Sequence, residues 1–308
     1  MYSICATAIN ETVATLRQLL QRLQQTAVLQ GPILNDRNRL EHTSNRRTII
    51  YNDGSQYEGQ TNQWNGPHGF GKYTSQHCVY IGDFEDRARS GCGKERCNLI
   101  NAVSDGGYIV PRLYEGTFQD NSRHGYGKAT YYNGDEYIGE WNSNEQHGYG
   151  RIVYSNGLSY EGQWQHGRPH GYGVHSLSRT DKYEGDCEKG VAHGYGTRTY
   201  VTGEVYEGEF HKGWAHGYGV FTYPFGETYE GYWINTKRNG YGKETMRSGE
   251  VLEGMWKDDV LQSFINNQLT MSPFELPPPV FPHDFTSDLT KIYAGPYFSY
   301  PGPICWPN

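Results

Sequence analysis

One phrase recurs along this chain at a fixed step, and that step limits the fold more than any other feature. From Tyr137 the sequence runs YIGEWNSNEQHGYGRIVYSNGLS, and at Tyr160 it restarts as YEGQWQHGRPHGYGV. The same phrase opens at Tyr57, Tyr80, Tyr114, Tyr183, Tyr206 and Tyr229, and a truncated copy has Leu252 in place of the tyrosine. The step is 23 residues everywhere except between Tyr80 and Tyr114, where it is 34. A fixed period in this range marks a small structural unit stacked on copies of itself.

The phrase reads as two short strands. Tyr137, Gly139 and Trp141 alternate with Ile138 and Glu140, so in a strand the first three share one face and the other two the opposite face. A polar stretch of hairpin length follows, then His147-Gly148-Tyr149-Gly150, whose two glycines are expected on one face with the tyrosine on the other. The second strand runs to a glycine turn, seen as Asn133-Gly134 and Asn156-Gly157, a strong hairpin signal between β-patterned runs. The segment Thr48–Gln56 reads as the second half of a preceding copy. Glycine inside a strand is costly unless something uses the missing side chain. Here aromatic rings of neighbouring strands are expected to lie across the glycines.

The composition agrees. Mean hydropathy is -0.80, yet the chain holds 27 Tyr, 7 Trp, 11 Phe and 40 Gly. Disordered chains lack aromatics, so a thin aromatic-on-glycine β structure is the expectation. Net charge is -7, all of it carried by the repeats, which excludes the basic footprint of a nucleic-acid binder and disfavours adhesion to anionic lipid. The six cysteines do not recur with the repeat, which points to a reducing compartment. No run of 18 apolar residues is present and no secretory leader is expected. A cytoplasmic location is the expectation.

The pattern YEGxW…HGYGxxxYxxGxxY resembles the MORN repeat (membrane occupation and recognition nexus). The resemblance covers about Thr48 to Asp259. It implies an all-β, elongated, twisted antiparallel meander of stacked hairpins with one grooved aromatic face. It also implies a non-enzymatic scaffold that holds partner proteins, cytoskeletal ones among them, in that aromatic-glycine groove. The groove residues are Tyr114, Phe118, Tyr137, Trp141, Tyr160, Trp164, Tyr206, Phe210, Tyr229 and Trp233. Phosphoinositide or membrane recognition is the alternative, with Arg37, Arg39, Arg46 and Arg47 as the basic contributors. A structural subunit of a large complex is a third. Relatives with a lipid kinase or methyltransferase domain carry far more sequence beside their repeats, so no enzyme domain, cofactor or metal is expected.

Three segments flank or interrupt the repeats. In residues 1–47, Ile9, Val13, Leu16, Leu20, Leu23 and Ala27 form an a/d seam, so a helix over about Ala8–Gln30 is expected before a polar linker. It caps the sheet, pairs with a second copy or partner, or serves as a mitochondrial presequence. The copy opening at Tyr80 has Ser90-Gly91-Cys92-Gly93 for the usual motif and 11 extra residues within about Lys94–Arg112. Residues 260–308 are rich in proline and aromatics, with a short helix expected over Val260–Thr270 and a tail that packs on the sheet or docks to a partner.

Repeated His68, His124, His147, His170, His193 and His216 suggest a metal ladder, but one per copy spaces them about 9–10 Å apart, too far for one ion. The glutamates of Tyr-Glu-Gly (Glu58, Glu115, Glu161, Glu184, Glu207, Glu230, Glu253) fall opposite the aromatic face and read as a solvated surface. Cys92-x4-Cys97 with Cys78 is a poor zinc pattern.

Overall fold

The computed structural model describes residues 46–98 and 109–264. They fall into two compact units, Met1–Arg168 and Pro169–Asn308. The expected N-terminal helix and proline-rich tail lie outside the described residues, as does the middle of the insertion.

The first unit contains β1 (Arg46–Ile50), β2 (Gln56–Thr61), β3 (Pro67–Thr74), β4 (Cys78–Glu85), β5 (Ala88–Cys97), β6 (Leu113–Gln119), β7 (Ser122–Thr130), β8 (Glu136–Asn142), β9 (Glu145–Val153) and β10 (Ser159–Gln165). Each strand pairs antiparallel with the next. β1 supplies the second half of a preceding copy, as the sequence indicates. Arg96 pairs with Leu113, so β5 and β6 close directly beneath the insertion.

The second unit contains β11 (Arg168–Ser176), β12 (Lys182–Glu188), β13 (Val191–Thr199), β14 (Val205–His211), β15 (Trp214–Thr222), β16 (Thr228–Ile234), β17 (Lys237–Thr245), β18 (Val251–Lys257) and β19 (Val260–Phe264). These too pair in sequence order, all antiparallel. Val260–Phe264 is therefore a strand, not the start of a helix. Asp258 and Asp259 take left-handed φ values of 48° and 70°, and this turn folds Leu261 back opposite Trp256.

The two hairpin ends use different turns. At one end two residues suffice: Ser143 and Asn144 both have positive φ, 49° and 74°, the type I′ geometry whose twist matches that of the strands. At the other, Tyr131 N donates to Asp135 O at 2.9 Å around Tyr132-Asn133-Gly134, with Gly134 at φ 93°. Successive two-residue turns are tied together. Asn144 N donates to Arg123 O at 3.0 Å, and Arg123 N donates to the Asn144 Oδ1 at 3.0 Å.

One expectation about the glycines is corrected. Gly139 pairs with Gly150, but Glu140 pairs with His147, so the register slips by a bulge. Gly148 sits in it at φ 58°, a conformation L residues resist. The two glycines of the motif thus have separate jobs. Gly148 turns the backbone. Gly150 makes room for a ring, because a Cβ there would stand 2.3 Å from the Tyr137 hydroxyl.

Candidate protein-binding face

The aromatic face is a core. Tyr114, Tyr137, Tyr160 and Tyr229 are 0 % exposed, Tyr206 1 %, and Phe118, Trp141, Trp164, Phe210 and Trp233 no more than 5 %. All ten expected groove residues are therefore buried, and the expectation of an open aromatic groove is corrected. The reason is the tyrosine hydroxyl. Tyr137 reaches across the paired glycines and donates to Glu140 O at 2.9 Å. The same bond recurs from Tyr80 to Asp83 O, Tyr160 to Gln163 O and Tyr206 to Glu209 O at 2.7–3.0 Å. Each tyrosine thus folds down over its own hairpin, and the next aromatic closes over it.

The rings form continuous edge-to-face chains within each unit. Tyr137 meets Trp141 at 5.2 Å and Trp164 at 5.1 Å. Tyr206 meets Phe210 at 5.1 Å and Trp233 at 5.4 Å. Such contacts add about 0.5–1.5 kcal/mol each beyond the area buried. The indole nitrogens are also satisfied: Trp141, Trp164 and Trp233 donate to the carbonyls of Gly127, Gly150 and Gly219 at 3.0–3.2 Å.

Charge also enters this core. Glu95 is 7 % exposed and bonds Arg89 and Arg123. Arg123 lies over the Tyr114 ring at 5.6 Å, and Arg89 over Phe118 at 5.3 Å. Burial raises the Glu95 carboxyl, and Arg123 and Arg89 more than reverse that, holding it below its ordinary value. In the second unit Cys187 stands at a ring position and contacts His175, with Nε2 to Sγ at 3.1 Å. Sequence reasoning missed this pair. Burial pushes the thiol up to about 12 and the imidazole down to about 3, so both are neutral and neither is an activated nucleophile or base.

The opposite face carries a second, unforeseen ladder. From Tyr149 onward, the tyrosine between the two motif glycines donates its hydroxyl to the glutamate of the next Tyr-Glu-Gly, whereas earlier copies have Phe70 or Cys92 there, or Tyr126 with Ile138 in the glutamate's place. Tyr149 reaches Glu161 at 3.2 Å, Tyr172 reaches Glu184 at 2.8 Å, Tyr195 reaches Glu207 at 3.1 Å and Tyr218 reaches Glu230 at 2.7 Å. Tyr241 bonds Glu253, and that carboxylate raises the phenol to about 12. These glutamates are thus bonded as well as solvated. A second acceptor serves the bulge: Glu140 Oε1 accepts from Tyr149 N at 3.0 Å, and Glu209 Oε1 from Tyr218 N at 3.1 Å. Asp83, Thr117 and Gln60 do the same elsewhere.

Of the expected lipid-contacting arginines, Arg46 is bonded to Glu58 and Arg47 is exposed on β1. Arg37 and Arg39 lie outside the described residues. The motif histidines meet non-motif ones: His211 lies 5.1 Å from His193 and 5.6 Å from His216, ring to ring. Burial, then the neighbouring His193, His216 and Lys212, hold His211 below its ordinary value. Among the described residues no group of three or more His, Cys, Asp or Glu side chains is placed to hold a metal ion. Cys78 and Cys97 sit directly opposite on β4 and β5 and are joined as a disulfide, although the cysteines do not recur with the repeat.

The chain matches no curated protein. Among solved structures, the wild-type TCP10 domain of Danio rerio CPAP aligns with 69 % of this chain and 94 % of its own, at 11 % identity and a TM-score of 0.36. A catalytically inactive virginiamycin B lyase from Staphylococcus aureus with quinupristin aligns with 70 % and 72 %, at 11 % identity and a TM-score of 0.14. Neither likeness is close enough to carry an argument. The family model described as MORN repeat matches residues 64–76, 114–136, 137–159, 160–178, 183–205, 206–227 and 229–251. With the repeated Tyr-Gly-aromatic core and its stacked hairpins, these seven matches place the chain in the MORN-repeat family.

Proposed function

We propose that the chain is a non-enzymatic scaffold that binds partner proteins through the outward Tyr–Glu face of its repeats, in a cytoskeletal, axonemal or membrane-junction assembly. The observation that carries this reading is the Tyr–Glu ladder itself. It presents the same chemistry at five successive steps, from Tyr149–Glu161 to Tyr241–Glu253, at a pitch of about 10 Å, and Tyr195 and Tyr218 are 45 % and 40 % exposed. Repetition suits an extended contact, whereas catalysis needs a few unlike groups converging at one point. The buried nucleophile-like pair, Cys187 with His175, is neutral and sealed.

The face differs from the groove expected from the sequence. The buried aromatics hold the fold, so Trp141→Ala with Trp164→Ala would report on folding rather than on binding. The discriminating experiment is proximity labelling in the native cell followed by capture with the full chain. Partners should be lost when Tyr195→Ala and Tyr218→Ala are combined, with the melting temperature kept. Partners retained by that variant but lost on deleting residues 1–45 or 265–308 would instead make the chain a structural subunit held by its ends.

A further inference from the structure

The outward face changes character between the two units. Each motif glutamate lies in a cross-strand row with the residue that follows the second glycine of His-Gly-Tyr-Gly. In the first unit those following residues are Lys72, Lys94, Lys128 and Arg151. The glutamates of that row are neutralised: Glu58 pairs with Arg46, Glu115 with Lys94 and Glu161 with Arg151.

In the second unit the same positions hold Val174, Thr197, Val220 and only then Lys243. Glu184 finds Lys182 instead, from the adjoining row. Glu207 lies between Thr197 and Val220, and Glu230 between Val220 and Lys243. Both are exposed, and among the described residues neither makes an ion pair; each accepts a tyrosine hydroxyl. The row of the second unit thus carries four carboxylates, Glu184, Glu207, Glu230 and Glu253, against one cation, Lys243. Beside it run the exposed rings of Tyr195 and Tyr218, the latter 5.5 Å from Tyr232.

We propose that this face of the second unit docks a basic helical segment of a partner protein, with Lys or Arg side chains about 10 Å apart. This rests on the scaffold reading and names the partner's chemistry. Carboxylates without cations attract guanidinium or ammonium groups, tyrosine ring faces add cation–π contacts, and Val174, Thr197 and Val220 give the methylene stems an apolar floor. Anionic lipid and nucleic acid carry the wrong sign. The repeat pitch selects the helix. Seven helical residues advance about 10.5 Å and return to the same face. An extended strand advances about 10 Å in three residues, which puts successive side chains on opposite faces.

The test uses the full chain and a labelled helical Ala/Gln peptide of roughly three heptads with arginine at every seventh position, followed by fluorescence anisotropy. A second peptide has the same composition with arginine at every fifth position, which scatters the charges around the helix. The first peptide should bind, more weakly as salt rises, and about tenfold more tightly than the second. Glu207→Gln combined with Glu230→Gln should weaken it about tenfold, and Glu115→Gln combined with Glu161→Gln less than about twofold. No binding of the first peptide at low salt, equal affinity for both peptides, or equal loss in the two variants overturns the proposal. So does binding of phosphoinositide-containing vesicles with no binding of peptide. If the peptide fails while cellular partners still depend on Tyr195 and Tyr218, the basic-helix chemistry is wrong and the scaffold reading stands.

Discussion

The Tyr137 hydroxyl donates to the carbonyl oxygen of Glu140, three residues along its own strand, at 2.9 Å. That bond lays the ring over Gly150, where an added Cβ would stand 2.3 Å from the oxygen. Motif tyrosine and motif glycine are therefore one device, and substitutions at the two should differ in cost.

Tyr137→Phe keeps the ring and loses the hydrogen bond, which should cost about 1 kcal/mol. Gly150→Ala drives a methyl group into a fully buried ring and should cost about 3 kcal/mol or more. Urea unfolding of the full chain measures both. Equal effects would mean that the ring does not lie on the glycine.

Removing Glu95 leaves Arg89 and Arg123 with no buried carboxylate between them. Glu95→Ala should cost about 3–5 kcal/mol. A combined Glu95→Ala and Arg123→Ala variant should recover part of that loss, because one stranded charge is then gone. The same unfolding measurement decides it.

His175 is buried and neutral, with its imidazole held down to about 3 by desolvation. Its unfolded value is about 6.5, so the folded state resists protonation that the unfolded state accepts. The stability this contributes is fully present above about pH 6.5 and is lost progressively as pH falls toward 3. Melting temperatures at pH 7.5 and 5 should therefore fall more steeply for the native chain than for His175→Ile, which copies Ile152, the equivalent residue of an earlier repeat. Parallel profiles would show that the histidine is not sealed.

Much of this fold is readable in the phrase itself. The recurring strand glycines pair across their hairpins, Gly139 with Gly150 and likewise Gly82 with Gly93, Gly116 with Gly127, Gly185 with Gly196, Gly208 with Gly219 and Gly231 with Gly242, and so set the register. That register also aligns Cys78 with Cys97 once Gly82 is set opposite Gly93, a signal that counting cysteines per repeat passes over. The open groove failed for a local reason. Strand alternation places the aromatics on one face but says nothing of a hydroxyl that bends each ring back onto its own strand. The bulge at Gly148 was hidden because its acceptor changes identity, from Glu140 to Thr117 to Gln60, while keeping its place. The ladder from Tyr195 to Glu207 spans two repeats and emerges only once the strands are paired.

The motif's opening tyrosines Tyr206 and Tyr229 are core, and its second tyrosines Tyr195 and Tyr218 are surface. Hydroxyl-radical footprinting read by mass spectrometry compares them within one molecule. Tyr195 and Tyr218 should be oxidised several-fold faster than Tyr206 and Tyr229 in the folded chain, and all four at similar rates in urea. Similar rates in the folded chain, or faster reaction at Tyr206 and Tyr229, would contradict the account and restore the open aromatic groove.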